Sequence, residues 1–202
     1  MNRILGTLLL SAAALLSGCA TSWTVDSDVR TFSTLRAVPT GGGAYRFERL
    51  PSQQSYGEQH AQVEALVEQS LARVGFVRDD KAAKYAVQTG ARIQRERSPW
   101  ADPWGGWGFP GRDYVVNGAG QVIFLSPFPR METPWYRREV SIIIRDLGTN
   151  QVVYETHALH DGPWADSSQV LPAMFDSALQ GFPNPPPGPR KVNVTITPAK
   201  RG

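Results

Sequence analysis

The side chains able to do covalent or coordination chemistry are few. There is one thiol, Cys19, and there are three histidines. With no second cysteine, Cys19 cannot close a disulfide within the chain. His157, His160 and Asp161 form the one cluster of metal-ligand types, but a spacing of three on a strand sends the histidines to opposite faces. A metal there would require the strand to break and a further ligand to arrive. Asp26 and Asp28 share strand parity and could in principle act as an acid–base pair; near a chain end, solvated carboxylates are the plainer reading. No Gly-x-Ser-x-Gly elbow occurs. No catalytic residues, metal or cofactor are therefore expected. The residues fitted to recognition are aromatic: Trp100, Trp104, Trp107, Phe109 and Tyr114 stand among prolines and glycines. Such rings can stack on sugars, sit at a lipid headgroup layer or anchor a protein partner.

The setting of Cys19 gives its thiol a use. Arg3 is followed by an apolar run from Ile4 to Leu16, too short for a membrane span and suited to a secretory signal. The run ends Leu16-Ser17-Gly18-Cys19, which resembles the bacterial lipobox. Residues 1–18 are expected to be a cleaved lipoprotein signal peptide. Cys19 would be the first mature residue and would carry diacylglyceryl and palmitate-type chains, several of which hold a protein stably on a bilayer. Ala20 is not the aspartate that favours inner-membrane retention. The expected place is the outer membrane of the cell envelope, facing the periplasm.

Charge is sparse and close to balance, with a formal net charge of +3. No basic run has the density of a phosphate-binding patch, so nucleic acid is not an expected partner. Residues 19–202 suffice for a single domain. Proline and glycine gather at Pro39–Gly43, in an insertion near 96–114, and in a turn near 183–189.

The elements that must position these residues follow from periodicity. Trp23, Val25 and Val29 suggest a first strand, and Tyr45–Leu50 a second. Val63, Leu66, Val67, Leu71 and Val74 recur at helical spacing and end at Gly75, a left-handed cap. Tyr85–Ile93 alternates as a strand, and Val115–Leu125 does so weakly. Trp135–Asp146 and Val152–Ala158 flank a Gly148-Thr149-Asn150 turn as a hairpin. A second helix spans about Gln169–Gln180, with Pro172 in its first turn and Gly181 ending it. Val192, Val194 and Ile196 make a last strand. Hairpins dominate, which points to an α+β fold: a mostly antiparallel sheet with two amphipathic helices on one face.

In order along the chain stand Phe32-Ser33-Thr34-Leu35-Arg36, Leu71-Ala72-Arg73-Val74-Gly75-Phe76, Ala83-Lys84-Tyr85-Ala86-Val87, Val140–Asp146, Thr149-Asn150-Gln151-Val152-Val153-Tyr154 and Phe182-Pro183. From about Val25 to Phe182 the chain resembles the bacterial lipoproteins that carry domain of unknown function 4136. Leu35 and Tyr154 stand where that family often has an aromatic and a tryptophan. The resemblance implies the fold and the location, with no established catalytic residue or ligand. The function expected is that of a membrane-anchored, non-enzymatic binding or scaffolding domain contacting an envelope protein or peptidoglycan. An envelope hydrolase or metal-dependent enzyme using the His157/His160/Asp161 region, and a purely structural lipoprotein, are the alternatives.

Overall fold

The computed structural model describes residues 22–37, 39, 43–99, 114–116, 122–124 and 134–196. Along them run β1 (Trp23–Ser33), β2 (Gly43–Phe47), the one-turn helix α1 (Pro51–Gln54), α2 (Gly57–Arg73), β3 (Phe76–Arg78), β4 (Tyr85–Glu96), β5 (Tyr114–Val116), β6 (Val122–Phe124), β7 (Trp135–Asp146), β8 (Val152–Gly162), α3 (Val170–Leu179) and β9 (Arg190–Ile196). The fold is α+β. A seven-stranded sheet has the order β3-β2-β4-β7-β8-β1-β9. No helix among the described residues is long and apolar enough to cross a membrane.

The long strands are antiparallel and alternate as their sequences require. Val25, Ser27, Val29 and Thr31 of β1 are buried, and Asp26, Asp28, Arg30 and Phe32 are exposed. The β4–β7 ladder runs unbroken from Tyr85–Asp146 to Glu96–Trp135, across the insertion that separates the two strands in sequence. The β7–β8 hairpin closes on Asp146, whose Oδ1 accepts from the N–H of Gly148 and Thr149 at 2.8 and 2.9 Å. Asn150 takes the left-handed conformation (φ 59°) that its short side chain tolerates.

The sheet is mixed rather than mostly antiparallel throughout, because β2 runs parallel to both its neighbours. Helix α2 carries the chain back so that β3 starts alongside β2 in the same direction. Sequence patterning missed β3, three residues long, as a strand. Parallel neighbours ordinarily need a long crossover. Here β3 pairs with Gly43–Tyr45 and β4 with Tyr45–Phe47, so Arg78 and Tyr85 both sit opposite Tyr45. A short link then suffices, tied by Asp79 N–H to Tyr45 O (2.9 Å) and Lys84 N–H to Ala44 O (2.8 Å). Val115–Leu125, expected as one weak strand, contains β6 and part of β5, which pair as a separate two-stranded sheet.

The helices lie on one face. On α2 the buried line is Glu64, Val67, Ser70 and Leu71, while Val63, Leu66 and Val74 flank it partly buried. The stripe is therefore turned from the one the apolar residues alone suggest. Polar partners explain the turn: Arg49 clasps the Glu64 carboxylate with two 2.7 Å bonds, and Ser70 donates to Asp176 of α3 at 2.7 Å. Gly75 follows with φ 91°, as a left-handed cap. Helix α3 is buried on most of its surface and packs on β1, β7, β8, β9 and α2. Its last carbonyls are met by the sheet and a cation: Thr156 Oγ1 donates to Ala178 O at 2.9 Å, Tyr154 OH to the same oxygen at 3.3 Å, and Arg190 to Gln180 O at 2.7 Å.

Candidate functional site

The parity that buries Val140, Ile142 and Ile144 on β7 also buries Arg138. That of Tyr154, Thr156 and Ala158 buries His160, and that of Val25 and Val29 buries Ser27. The registers set Arg138 opposite His160, and Asp28 opposite Leu159, so Ser27 stands opposite His160 one step along. One row across the core face thus reads Ser27, His160, Arg138. All three are buried, Arg138 at 0% exposure.

The segment after β8 closes over this row. Arg138 donates through Nη2 to Trp164 O and through Nε to Ser167 Oγ at 2.9 Å, and lies over the Tyr136 ring at 5.4 Å. Burial lowers the guanidinium pKa from its usual value, against the opposing pull of Tyr136 and Asp166. His160 donates from Nδ1 to the carbonyl of Asp26 at 2.6 Å. A Cβ on Gly162 would lie 3.2 Å from Nε2 and 3.4 Å from Trp164 Cδ1. Trp164 stacks at a tilt on Trp23, with ring centroids 5.0 Å apart.

Among the described residues, Ser27 Oγ, His160 Nε2 and Arg138 Nη1 have no hydrogen-bond partner. A serine, a histidine and the nearby Asp26 (Oδ1 3.5 Å from Nδ1) bring nucleophilic catalysis to mind. The arrangement does not supply it: a working pair needs Ser Oγ bonded to Nε2, and here both atoms are unpartnered and sealed from solvent. The row is a shut set of polar atoms, and each unmet atom costs about 1–3 kcal/mol.

The opposite face of the sheet is wet. His157 lies there, partly exposed, with Nε2 3.0 Å from Glu155. Asp28, Arg30, Arg137, Glu139, Leu159 and Pro189 share with it an open groove of about 510 Å³. The two histidines thus face opposite sides, as their spacing requires, and Asp161 is exposed. Among the described residues no three His, Cys, Asp or Glu groups are placed to hold a metal ion. Asp26 and Asp28 share the wet face, where Lys191 Nζ sits 3.8 and 3.9 Å from their carboxylates. They are ion-paired to a lysine, rather than poised against each other.

Cys19, Trp100, Trp104, Trp107 and Phe109 lie outside the described residues, as does the signal segment. The strands that carry the insertion are described up to Glu96 and from Trp135 onward, and its two roots are paired neighbours. Sequence reasoning passed over Ser27 and Arg138. The signal was available: each interrupts a run of apolar residues at core parity.

The profile of the family described as "Domain of unknown function (DUF4136)" matches residues 21–184. No curated protein matches. Among solved structures, a PDZ domain protein from Parabacteroides distasonis is similar at 17% identity and a TM-score of 0.49; the match covers 94% of this chain and 42% of that one. This chain therefore spans less than half of that protein. A PelC dodecamer from Paraburkholderia phytofirmans is similar at 14% identity and a TM-score of 0.42, over 76% of this chain and 95% of that one. The family match takes in every strand and helix of the main sheet except β9, and on it the chain belongs to the DUF4136 family.

Proposed function

We propose that this protein is a lipid-anchored lipoprotein of the outer membrane, facing the periplasm, and that it acts as a non-enzymatic binding or scaffolding domain for an envelope protein. The observation that carries the reading is the mounting of the insertion. Its roots, Glu96 and Trp135, are the last rung of a ladder that is continuous from Tyr85–Asp146. A recognition segment gains from a rigid base, because less freedom is lost when the partner docks. Among the described residues, the unmet polar atoms of the Ser27–His160–Arg138 row are buried, which supports the non-enzymatic part of the reading.

Photo-crosslinking in the native envelope, with a reactive group placed beside Trp104, tests the reading. The expected result is one dominant protein adduct that is lost when Trp100, Trp104 and Trp107 become alanine. Crosslinks to peptidoglycan alone would replace the protein partner. An absence of adducts, with lipidation intact, would favour the purely structural alternative. Stoichiometric zinc in the purified chain would revive the enzyme.

A further inference from the structure

One end of the sheet is set with aromatic rings. There the register gathers the start of β1 and β7 with the finish of β4, β8 and β9: Trp23 pairs with Ile196, Tyr136 with Gly162, and Trp135 with Glu96. Trp23, Trp135, Tyr136 and Trp164 cluster at these positions, and Trp164 is 51% exposed although it stacks on Trp23. At the other end lies the β7–β8 turn, where Gly148, Thr149 and Asn150 are exposed and carry no ring, while Phe32 and Val152 are exposed on the strands beside it. Strand β7, at about 3.3 Å per residue, separates the two ends by about 40 Å.

The aromatic end is also where the chain enters the domain. Trp23 is four residues after Cys19, a reach of at most about 14 Å when fully extended. A lipid on Cys19 therefore holds this end at the bilayer surface, and the polar turn far beyond it. The headgroup layer of one leaflet is about 5–7 Å thick, the zone where amphipathic indole and phenol rings collect. We propose that the Trp23–Trp164 end of the sheet seats in the lipid headgroup layer, so that the domain stands on its end as well as hanging from its acyl chains. This rests on the lipid anchoring proposed above.

The test uses the full, lipidated chain. Lipid consumes the thiol of Cys19, so one introduced cysteine is a unique label site. Ala165→Cys, beside Trp164, and Thr149→Cys, at the far turn, are both exposed. Each is labelled with an environment-sensitive dye and reconstituted into phosphatidylethanolamine–phosphatidylglycerol vesicles that carry a headgroup nitroxide. After flotation, the dye at 165 is expected to lose emission and the dye at 149 to keep it. Adding Trp164→Ser, an exposed position, should restore emission at 165 while the chain still floats. Equal emission at both sites in floated protein overturns the end-on contact and leaves the anchoring standing. Loss at 165 that ignores Trp164→Ser assigns proximity to the tether and overturns the aromatic seat. Protein that stays at the bottom of the gradient overturns the anchoring, and the aromatic seat with it.

Discussion

Arg138 joins sequence to stability at a single position. Its guanidinium is fully buried, so desolvation offsets what its bonds to Trp164 and Ser167 and the pull of Asp166 contribute. Arg138→Met is expected to change global stability by no more than about 2 kcal/mol, since hydrophobic replacement of a buried charge is often neutral. Amide exchange over residues 163–169 should nevertheless quicken, because those bonds hold the segment to the sheet. A loss well beyond that bound, with unchanged exchange, would mean that the arginine supports the whole core. His60 gives a pH dependence. Burial lowers its pKa below the ordinary 6.5, Glu64 opposes the shift, and Arg49 adds to it. The unfolded chain then binds the proton more readily, so this part of the stability is complete above pH 6.5 and is lost as pH falls below it. Melting curves over pH 5–7 should slope less for His60→Gln than for the parent (an interval of about two units). At this scale parity was legible in the sequence for His157 and His160. The partner of Asp26 and Asp28 was not, because Lys191 arrives from a strand far along the chain.

Among the elements, α2 shows what periodicity can and cannot read. Of the stripe Val63, Leu66, Val67, Leu71 and Val74 read from the sequence, Val67 and Leu71 are fully buried, while Val63, Leu66 and Val74 pack partly buried against the core. Glu64 and Ser70 turn the helix because each is met by a polar partner from another element, which no local pattern reveals. Leu71→Ala is expected to cost about 2–5 kcal/mol. Leu71→Asp should abolish the cooperative melt, since it buries an unpaired charge. Leu66→Ala should cost less than Leu71→Ala, and parallel thermal melts check the order. The caps at Gly75 and Gly181 were legible because positive φ selects glycine locally. Strand β3 was not, since three residues are too few to show alternation and its pairing with β2 depends on the helix between them.

For the molecule as a whole, the α+β class followed from hairpins and two strong helices, whereas the parallel pairs followed from where α2 returns the chain. Nothing in composition told that the roots of the insertion are adjacent; that depends on β4 and β7 pairing along their full length. Replacing Trp100, Trp104 and Trp107 with alanine is expected to leave the melting temperature nearly unchanged while partner capture falls. Truncated core aromatics cost about 3–5 kcal/mol each, so a large drop in melting temperature would place those rings in the core instead. Cys19→Ser should leave the precursor unprocessed or release the domain from membranes; an unmodified thiol on the mature N-terminus by mass spectrometry would remove the basis for the location.

The place of β1 within the sheet has a bearing on when folding can occur. The first strand is not at an edge but lies between β8 and β9. Its residues Asp28–Ser33 are in register with Tyr154–Leu159 on one side, and Trp23–Val29 with Arg190–Ile196 on the other. A chain emerging from its N-terminus makes β1 first and must wait for its neighbours until nearly the whole polypeptide has appeared. Pairings this distant along the chain close slowly. A nascent chain therefore holds β1 without its sheet neighbours until β8 and β9 have been made. The last of the described strands, β9, covers the outer edge of β1.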